Sequence, residues 1–436
     1  MIRELLDKLL ALFILPIEVR SFKDLEDHVW EKGLELLRWA LGELLREMDD
    51  ALFKVRPSTL KPRDFRVKRI DTVVGTVTIV RRRYRDANGR YVYLLDEALG
   101  LQKRQRLSPG IIIQCVEQAT EMSFRRVVEQ RREVGLASPS HGSVHSWTRE
   151  MGERRSIEDA EARRLLFEQG EVTGEALSEA EVLFHEVDGI FVHAQHEEQD
   201  RLEIKAHMIH MGWEPRYGPG GTGLKLKGRR VCACIAEDAD SFWEESLANH
   251  GRRIDLSSVR VHVLNGDGAG WIDSGKDYLP ECYRQLDRYH VFRDIRKAFP
   301  DDEAKRLIEA IRSGQIDAVI DTIEGSAHPD LPKETRKRCT ALWLYLKNHQ
   351  DALRDYREQL KGVLPADQIY GGMGAAEGSV DKSIANRMKK RGMSWTRKGA
   401  DAMARLRSLR INGELRSWLI EQFEPSRKND NNDKPA

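Results

Sequence analysis

The sequence predicts a multidomain α/β protein, with a strand-rich middle between helical segments. Three observations predict it. At 436 residues the chain exceeds one ordinary core, so two to four domains are expected. EVLFHEVDGIFVHAQ, RLEIKAHMIHMGW, GRRVCACIAED and VRVHVLNGD each carry strand alternation or a continuous apolar run. On both sides of this region, apolar residues recur at helical spacing.

Residues 1–55 read as helical, with Leu25, Val29, Leu34, Leu37, Leu41 and Leu45 on amphipathic spacing over 22–54. LLALFILPI (9–17) follows Glu4, Asp7 and Lys8, lacks a small-residue cleavage site and is too short to cross a bilayer. Residues 56–105 form a basic segment. From Lys54 to Arg90 there are twelve Lys/Arg against three Asp/Glu, and TVVGTVTIVRRRYRDANGRYVYLL reads as a β-hairpin turning at Asn88-Gly89. In 106–156, Ser108-Pro109 opens a helix and two more follow, the last beginning SVHSWTRE after a break at SPSHG. Three short helices of this kind resemble a helix-turn-helix, and a small structural bundle is the equally open alternative.

A Glu-rich helical linker (157–181) leads to the strands. YGPGGTG (217–223) lies between the second and third of them and reads as a hairpin loop, because Leu224 stands where a Walker lysine belongs. From about 282 to 365 the pattern is helical again, a last helical stretch covers 376–409, and the polar tail in 416–436 is expected to be disordered.

The apolar fraction of 40% supports buried cores, and the net charge of +1 implies no polyanionic partner by itself. Five cysteines with no CxxC pair fit a reducing compartment, and Cys232 and Cys234 read as core packing rather than a metal site. No run of 18 apolar residues occurs, so the expectation is a cytoplasmic protein without a membrane partner.

Three carboxylates stand out. Asp188 interrupts an apolar strand in LFHEVDGIFV, and Asp267 sits between glycines at the end of VRVHVLNGDG. Isolated acids in buried strands need a partner, and a divalent cation is the usual one. Two facing carboxylates suit Mg²⁺ or Mn²⁺ with positions left for phosphate and water. Glu377 follows a glycine-rich entry in GGMGAAEGSVDKSIANRMKKRGMSW, and from Lys382 to Arg410 ten Lys/Arg accompany one acid. That pairing of acid and basic stretch points to a phosphodiester substrate and metal-dependent phosphoryl transfer. Taken singly, each Asp reads as a turn or capping acid and the basic run as a solvated helix face.

The combination of DEALGL (96–101), HEVDGIFV (185–192), NGDGAGWI (265–272), LDRYH (286–290) and the 371–395 segment resembles the ISLre-type transposases of bacterial insertion sequences, from about residue 60 to 415. The resemblance implies a DDE transposase with a ribonuclease H-like mixed-sheet catalytic core. Asp188 would lie on its first strand, Asp267 after its fourth and Glu377 on a later helix, holding two Mg²⁺ or Mn²⁺ ions. The core would comprise 182–298 and 366–415, with the long gap between Asp267 and Glu377 filled by an all-α insertion over 299–365. Asp287 and His290 match a supporting Asp-x-x-His motif; a helix salt-bridging pair is the alternative.

The implied partners are double-stranded DNA, as terminal inverted repeats and target, and further copies of the chain in a dimer or larger assembly; no nucleotide cofactor is implied. DNA contacts are expected from Arg81, Arg82, Arg83 and Arg85, from Ser143, His145 and Arg149, and from Lys382, Arg387, Lys389, Lys390 and Arg391. No cysteine lies between 54 and 100, so DNA binding there cannot rest on a zinc ribbon. Two rival readings remain: a transposase-derived DNA-binding regulator without catalytic activity, and a metal-independent hydrolase using Asp188 and Asp267 as acid and base.

Overall fold

The computed structural model describes all residues except 1, 15–19, 175–177, 218–222, 327–331, 375–383, 390–391 and 425–436. The chain forms two compact units: Met1–Thr148 with Arg416–Ala436, and Arg149–Leu415.

In the first unit, α1 (Ile2–Phe13) precedes α2 (Phe22–Val55), a single 34-residue helix. Ser21 starts α2 with a capping box: its hydroxyl accepts the Asp24 N–H, and Asp24 accepts the Ser21 N–H. β1 (Lys61–Thr72), β2 (Gly75–Arg85) and β3 (Tyr91–Val92) form an antiparallel sheet. Its inner face, Ile70, Val77 and Ile79, packs with Leu95 of α3 (Leu94–Ala98) against Leu41, Leu45, Met48 and Leu52 of α2.

The main hairpin therefore differs from the one expected. β2 pairs along its length with β1, through a turn at Val73-Val74, while Asn88-Gly89 serves only the two-residue return to β3. KPRDFRVKRIDT conceals a strand because Phe65 and Val67 face outward while Lys68 and Ile70 face inward, so its apolar residues switch faces.

The three-helix cluster is present as α4 (Pro109–Ala119), α5 (Phe124–Glu133) and α6 (His141–Gln169). Ile111, Cys115, Val127, Val128 and Val144 form its core, and Ser108 and Ser123 cap the first two helices. The third helix is longer than its motif. It continues unbroken to Gln169, so the stretch expected as a separate linker is largely its second half.

The second unit is built on a mixed sheet. Its strands are β4 (Val182–Ala194), β5 (Arg201–His210), β8 (Arg230–Cys234), β9 (Val261–Gly266) and β10 (Cys282–Leu286), in the order β10-β9-β4-β5-β8. β4, β9 and β10 run parallel, and β5 is antiparallel to both β4 and β8. A small antiparallel pair, β6 (Trp213–Pro215) and β7 (Leu224–Leu226), flanks the glycine-rich loop as expected. β10 is a correction, because residues from 282 onward read as helical. Its five residues, CYRQL, are too few to display a period.

Helix α7 (Ala239–Gly251) covers one face, where Phe242, Trp243 and Leu247 meet Val187, Cys234 and Leu264. On the other face Val182, Phe184, Val261 and Val263 pack under Trp213, Tyr356 and Leu360. After α8 (Gly270–Asp273) and β10, helices α9 (Arg288–Ala298), α10 (Asp301–Arg312), α11 (Ile316–Gly325) and α12 (Lys333–Asn348) share a core that includes Val291, Ile308, Ile320 and Leu346. The helical segment expected over 299–365 thus begins earlier, at Arg288, and the short α13 (Tyr356–Gln359) follows it.

Past the segment carrying Glu377, β11 (Ser394–Trp395) pairs with the end of β4, and the helix Arg397–Ile411 packs along β8. The free edge of β8 is covered by side chains. Asn412 accepts the Val231 N–H at 2.8 Å and donates to its carbonyl at 2.9 Å, and Asp401 accepts the Ile235 N–H. Gly152 of α6 lets this helix approach closely, since a β-carbon there would lie 2.2 Å from that of Ala402. Beside this contact Arg405 is buried in ion pairs with Asp159, Glu245 and Asp401. The helix Leu415–Glu421 occupies part of the tail expected to be disordered. All five cysteines are free, and no helix among the described residues is long and apolar enough to cross a membrane.

Candidate functional site

Strand register brings the acids together. Val182 pairs with Val261 and Glu186 with Asn265, and two further steps bring Asp188 level with Asp267. On the other side of β9, Cys282 pairs with His262 and Leu286 with Gly266, so the next residue, Asp287, is level with Asp267 too. The Asp287 N–H continues that ladder, donating to the Gly266 carbonyl at 2.8 Å. Three carboxylates thus occupy one rung across three neighbouring parallel strands, Asp188 midway along β4 and Asp267 and Asp287 directly after β9 and β10.

Each is oriented by the backbone. Asp188 Oδ1 accepts the Gly189 N–H at 2.8 Å, Asp267 Oδ1 accepts the Ala269 N–H at 2.9 Å, and Asp287 Oδ1 caps α9 through the Tyr289 N–H at 2.8 Å. Arg284 fixes the main chain here: it donates to the carbonyls of Leu264, Gly266, Asp267 and Gln285 and pairs with Asp273 at 2.7 Å. Burial pushes the Asp188 carboxyl up to about 6, with the charges of Asp267 and Asp287 raising it further while His290 and the Gly189 N–H oppose. Burial likewise raises Asp287, against the Tyr289 N–H and His290. His290 thus opposes the rise at both acids.

Immediately below this rung lies a second polar one that the sequence reading missed: Glu186, Asn265 and Gln285, all buried and mutually in register. The signal is a repeated pattern, polar residue then any residue then Asp, in Glu186-Val187-Asp188, Asn265-Gly266-Asp267 and Gln285-Leu286-Asp287. Residues two apart on a strand share a face. Glu203 of β5 was also missed. It lies against Gly189, whose absent β-carbon would be 2.5 Å from its carboxyl oxygen. Burial raises its carboxyl, opposed by Lys205, and Asp267 adds to the rise.

Glu377 lies outside the described residues, as do Lys382, Lys390 and Arg391. The chain leading to Glu377 passes the rung: the Gly371 carbonyl accepts the Tyr356 hydroxyl, and a β-carbon on Gly374 would be 3.6 Å from Asp287 Oδ1. Among the described residues no three His, Cys, Asp or Glu side chains are grouped to hold a metal ion. The donor chemistry nonetheless fits a hard dication. Each rung carboxylate uses one oxygen for a backbone N–H and accepts no second hydrogen bond among the described residues, leaving the other oxygen as a donor.

The expected DNA contacts are placed unequally. Arg81 is buried against Asp96 at 2.7 Å, Arg82 pairs with Asp49 and Asp50 at 2.8 and 2.6 Å, and Arg83 pairs with Asp64. Only Arg85 of the four is exposed. On α6, His145 and Arg149 are exposed one turn apart, with the His145 ring edge-on to Phe124, and Ser143 bonds back to Ser140. The basic stretch is not one face: Arg387, Arg405 and Arg407 are buried, whereas Lys389, Arg397 and Lys398 are exposed.

Comparison with known proteins places this architecture among uncharacterised relatives. A UPF0236 protein of Caldanaerobacter subterraneus subsp. tengcongensis is 27% identical over 403 residues, covering 91% of this chain and 78% of the relative. A Streptococcus gallolyticus relative described as a UPF0236 protein in vanSb 3'region is 25% identical over 410 residues, covering 90% of this chain and 84% of its own. The family model matches residues 17–421, and the chain belongs to the uncharacterised protein family UPF0236.

Proposed function

We propose that this protein is a DDE transposase that binds the terminal repeats of an insertion sequence and catalyses metal-dependent cleavage and strand transfer of DNA. The observation that carries the reading is the rung of Asp188, Asp267 and Asp287 across three parallel strands. Strand order adds support. Counted from β4 along the main sheet, the strands lie third, second, first, fourth, fifth, which makes the first and fourth neighbours as a ribonuclease H-like core requires. The helical insertion after the second Asp fits the same reading. One Caldanaerobacter relative carries eleven designations in its name, as a protein encoded at many places in one genome would.

Asp188 and Asp267, with Asp287 beside them and Glu377 from the adjoining segment, would hold Mg²⁺ or Mn²⁺. When bound, the metal supplies charge neutralisation and activation of the attacking oxygen in phosphodiester chemistry. The chain's own part is positioning. The three backbone N–H donors hold the carboxylates, Arg284 fixes the main chain that carries them, and His290 opposes the rise at Asp188 and Asp287. The exposed His145, Arg149 and Lys389 are available to DNA phosphates.

The test is cleavage and joining of labelled element-end duplexes in Mg²⁺, with wild type beside Asp267→Ala and Asp287→Asn. Loss of both reactions with end binding retained supports the reading. Activity surviving in Asp267→Ala defeats it, and binding without reaction in wild type, under Mg²⁺ or Mn²⁺, favours the regulator.

A further inference from the structure

Helices α9 and α12 line an open cavity of about 490 Å³. Asp294, Lys297 and Ala298 of α9 meet Arg338, Ala341, Leu342 and Tyr345 of α12 across it. Both sets fall at three- and four-residue spacing, so each is one helix face. The volume lies within the range of roughly 300–1,000 Å³ for small-ligand sites.

We propose that this cavity binds one phosphorylated nucleoside unit. Its floor is apolar, formed by the buried Ala298 and Leu342, and the exposed Ala341 lines it too. Its rim is cationic. Asp294 is already paired with Arg293 and Lys297, while the exposed Arg338 makes no ion pair with a described residue. The Tyr345 ring also lines it, a stacking surface for a planar base. Cations alone would take simple phosphate; the floor and the phenol add selectivity for the base.

The cavity adjoins the acidic rung. A β-carbon on Gly268 would be 2.6 Å from the Tyr345 ring, so the two are in close contact. Gly268 directly follows Asp267, so a base against Tyr345 sits one residue from that acid. The ligand is a free mononucleotide or an unpaired nucleotide of a DNA strand. The second source rests on the transposase reading; the cavity itself does not.

The experiment uses the full chain without added metal. Binding of dAMP and dTMP is measured by calorimetry against inorganic phosphate and deoxyadenosine. A parallel arm follows the fluorescence of 2-aminopurine at an unpaired DNA end and at the same position fully paired. Arg338→Glu and Ala341→Trp reverse the rim charge and fill the cavity from exposed positions.

Saturable mononucleotide binding, weakened about tenfold by either variant, supports the site with a free nucleotide. A signal only from the unpaired DNA end, lost in both variants, supports it with DNA as the source. No binding in either arm, binding indifferent to both variants, or phosphate bound as well as dAMP overturns it. Asp188→Asn separates the two proposals: it should leave mononucleotide binding intact, whatever its effect on DNA cleavage.

Discussion

Asp188 stands level with Asp267 on the neighbouring strand, and its carboxyl is pushed up to about 6, first by burial and then by the charges of Asp267 and Asp287. A carboxyl raised from its unfolded value near 3.9 favours the folded state only while protonated. Stability therefore falls as pH rises from about 4 to about 6, and the deficit of roughly 3 kcal/mol persists above. Asp188→Asn should be more stable than wild type by up to about 3 kcal/mol at pH 8 and equal to it at pH 4, while losing DNA cleavage. Urea denaturation at both pH values checks this; a variant less stable at pH 8 would refute the burial account.

On the opposite face of the sheet a chain of buried imidazoles predicts the reverse trend. His185 bonds to His207 and to His262, each at 2.9 Å, and His207 bonds to Ser246. Burial lowers His185, His207 and His250 well below the ordinary imidazole value and His262 to about 4. The unfolded chain protonates near 6.5, so this contribution to stability is complete above that pH and shrinks toward pH 4. His262→Gln should reduce the acid-induced loss between pH 6.5 and 4 by about 3 kcal/mol. Denaturation curves of both proteins across that range provide the measurement.

The arginines of RRRYR separate by burial. Arg81→Ala would leave Asp96 facing only Lys68, and breaking a buried pair costs about 3–5 kcal/mol. Arg85→Ala touches only an exposed side chain bonded to Gly89 and should change stability by less than about 0.5 kcal/mol. If Arg85 meets DNA phosphate, its loss lowers the salt slope of binding by about one. Thermal melts and salt titrations of both variants distinguish scaffold from contact.

Gly152 tests the packing of α6 against the last long helix. In an isolated helix Gly→Ala gains about 1 kcal/mol. Here the added methyl meets the Cβ and Cα of Ala402 at 2.2 and 2.4 Å, so the helices must separate. Overpacking of this kind costs about 1–3 kcal/mol and outweighs the gain. Gly152→Ala should lower the urea midpoint without changing the slope.

Much of this is visible in the sequence, and the gaps have physical causes. Asp188 and Asp267 stand out because each interrupts an apolar run. Asp287 is harder: β10 is five residues long, so the acid after it reads as part of a helical motif with His290. The polar residue two before each Asp is plainly visible, but only strand pairing reveals that the three patterns are stacked. Charge counting fails for Arg81 and Arg82 because their partners are distant in sequence: Asp96 lies beyond the hairpin, and Asp49 lies on α2.

The covering of β8 by Asn412 has a consequence for synthesis. Val231 and the asparagine that satisfies its amide and carbonyl are 181 residues apart. A ribosome adding five to twenty residues per second needs roughly 9–36 s to make the interval. Throughout that time the nascent sheet has an open edge, able to pair with any other unfinished copy on the same messenger. Completing the chain supplies Asn412 and closes that edge.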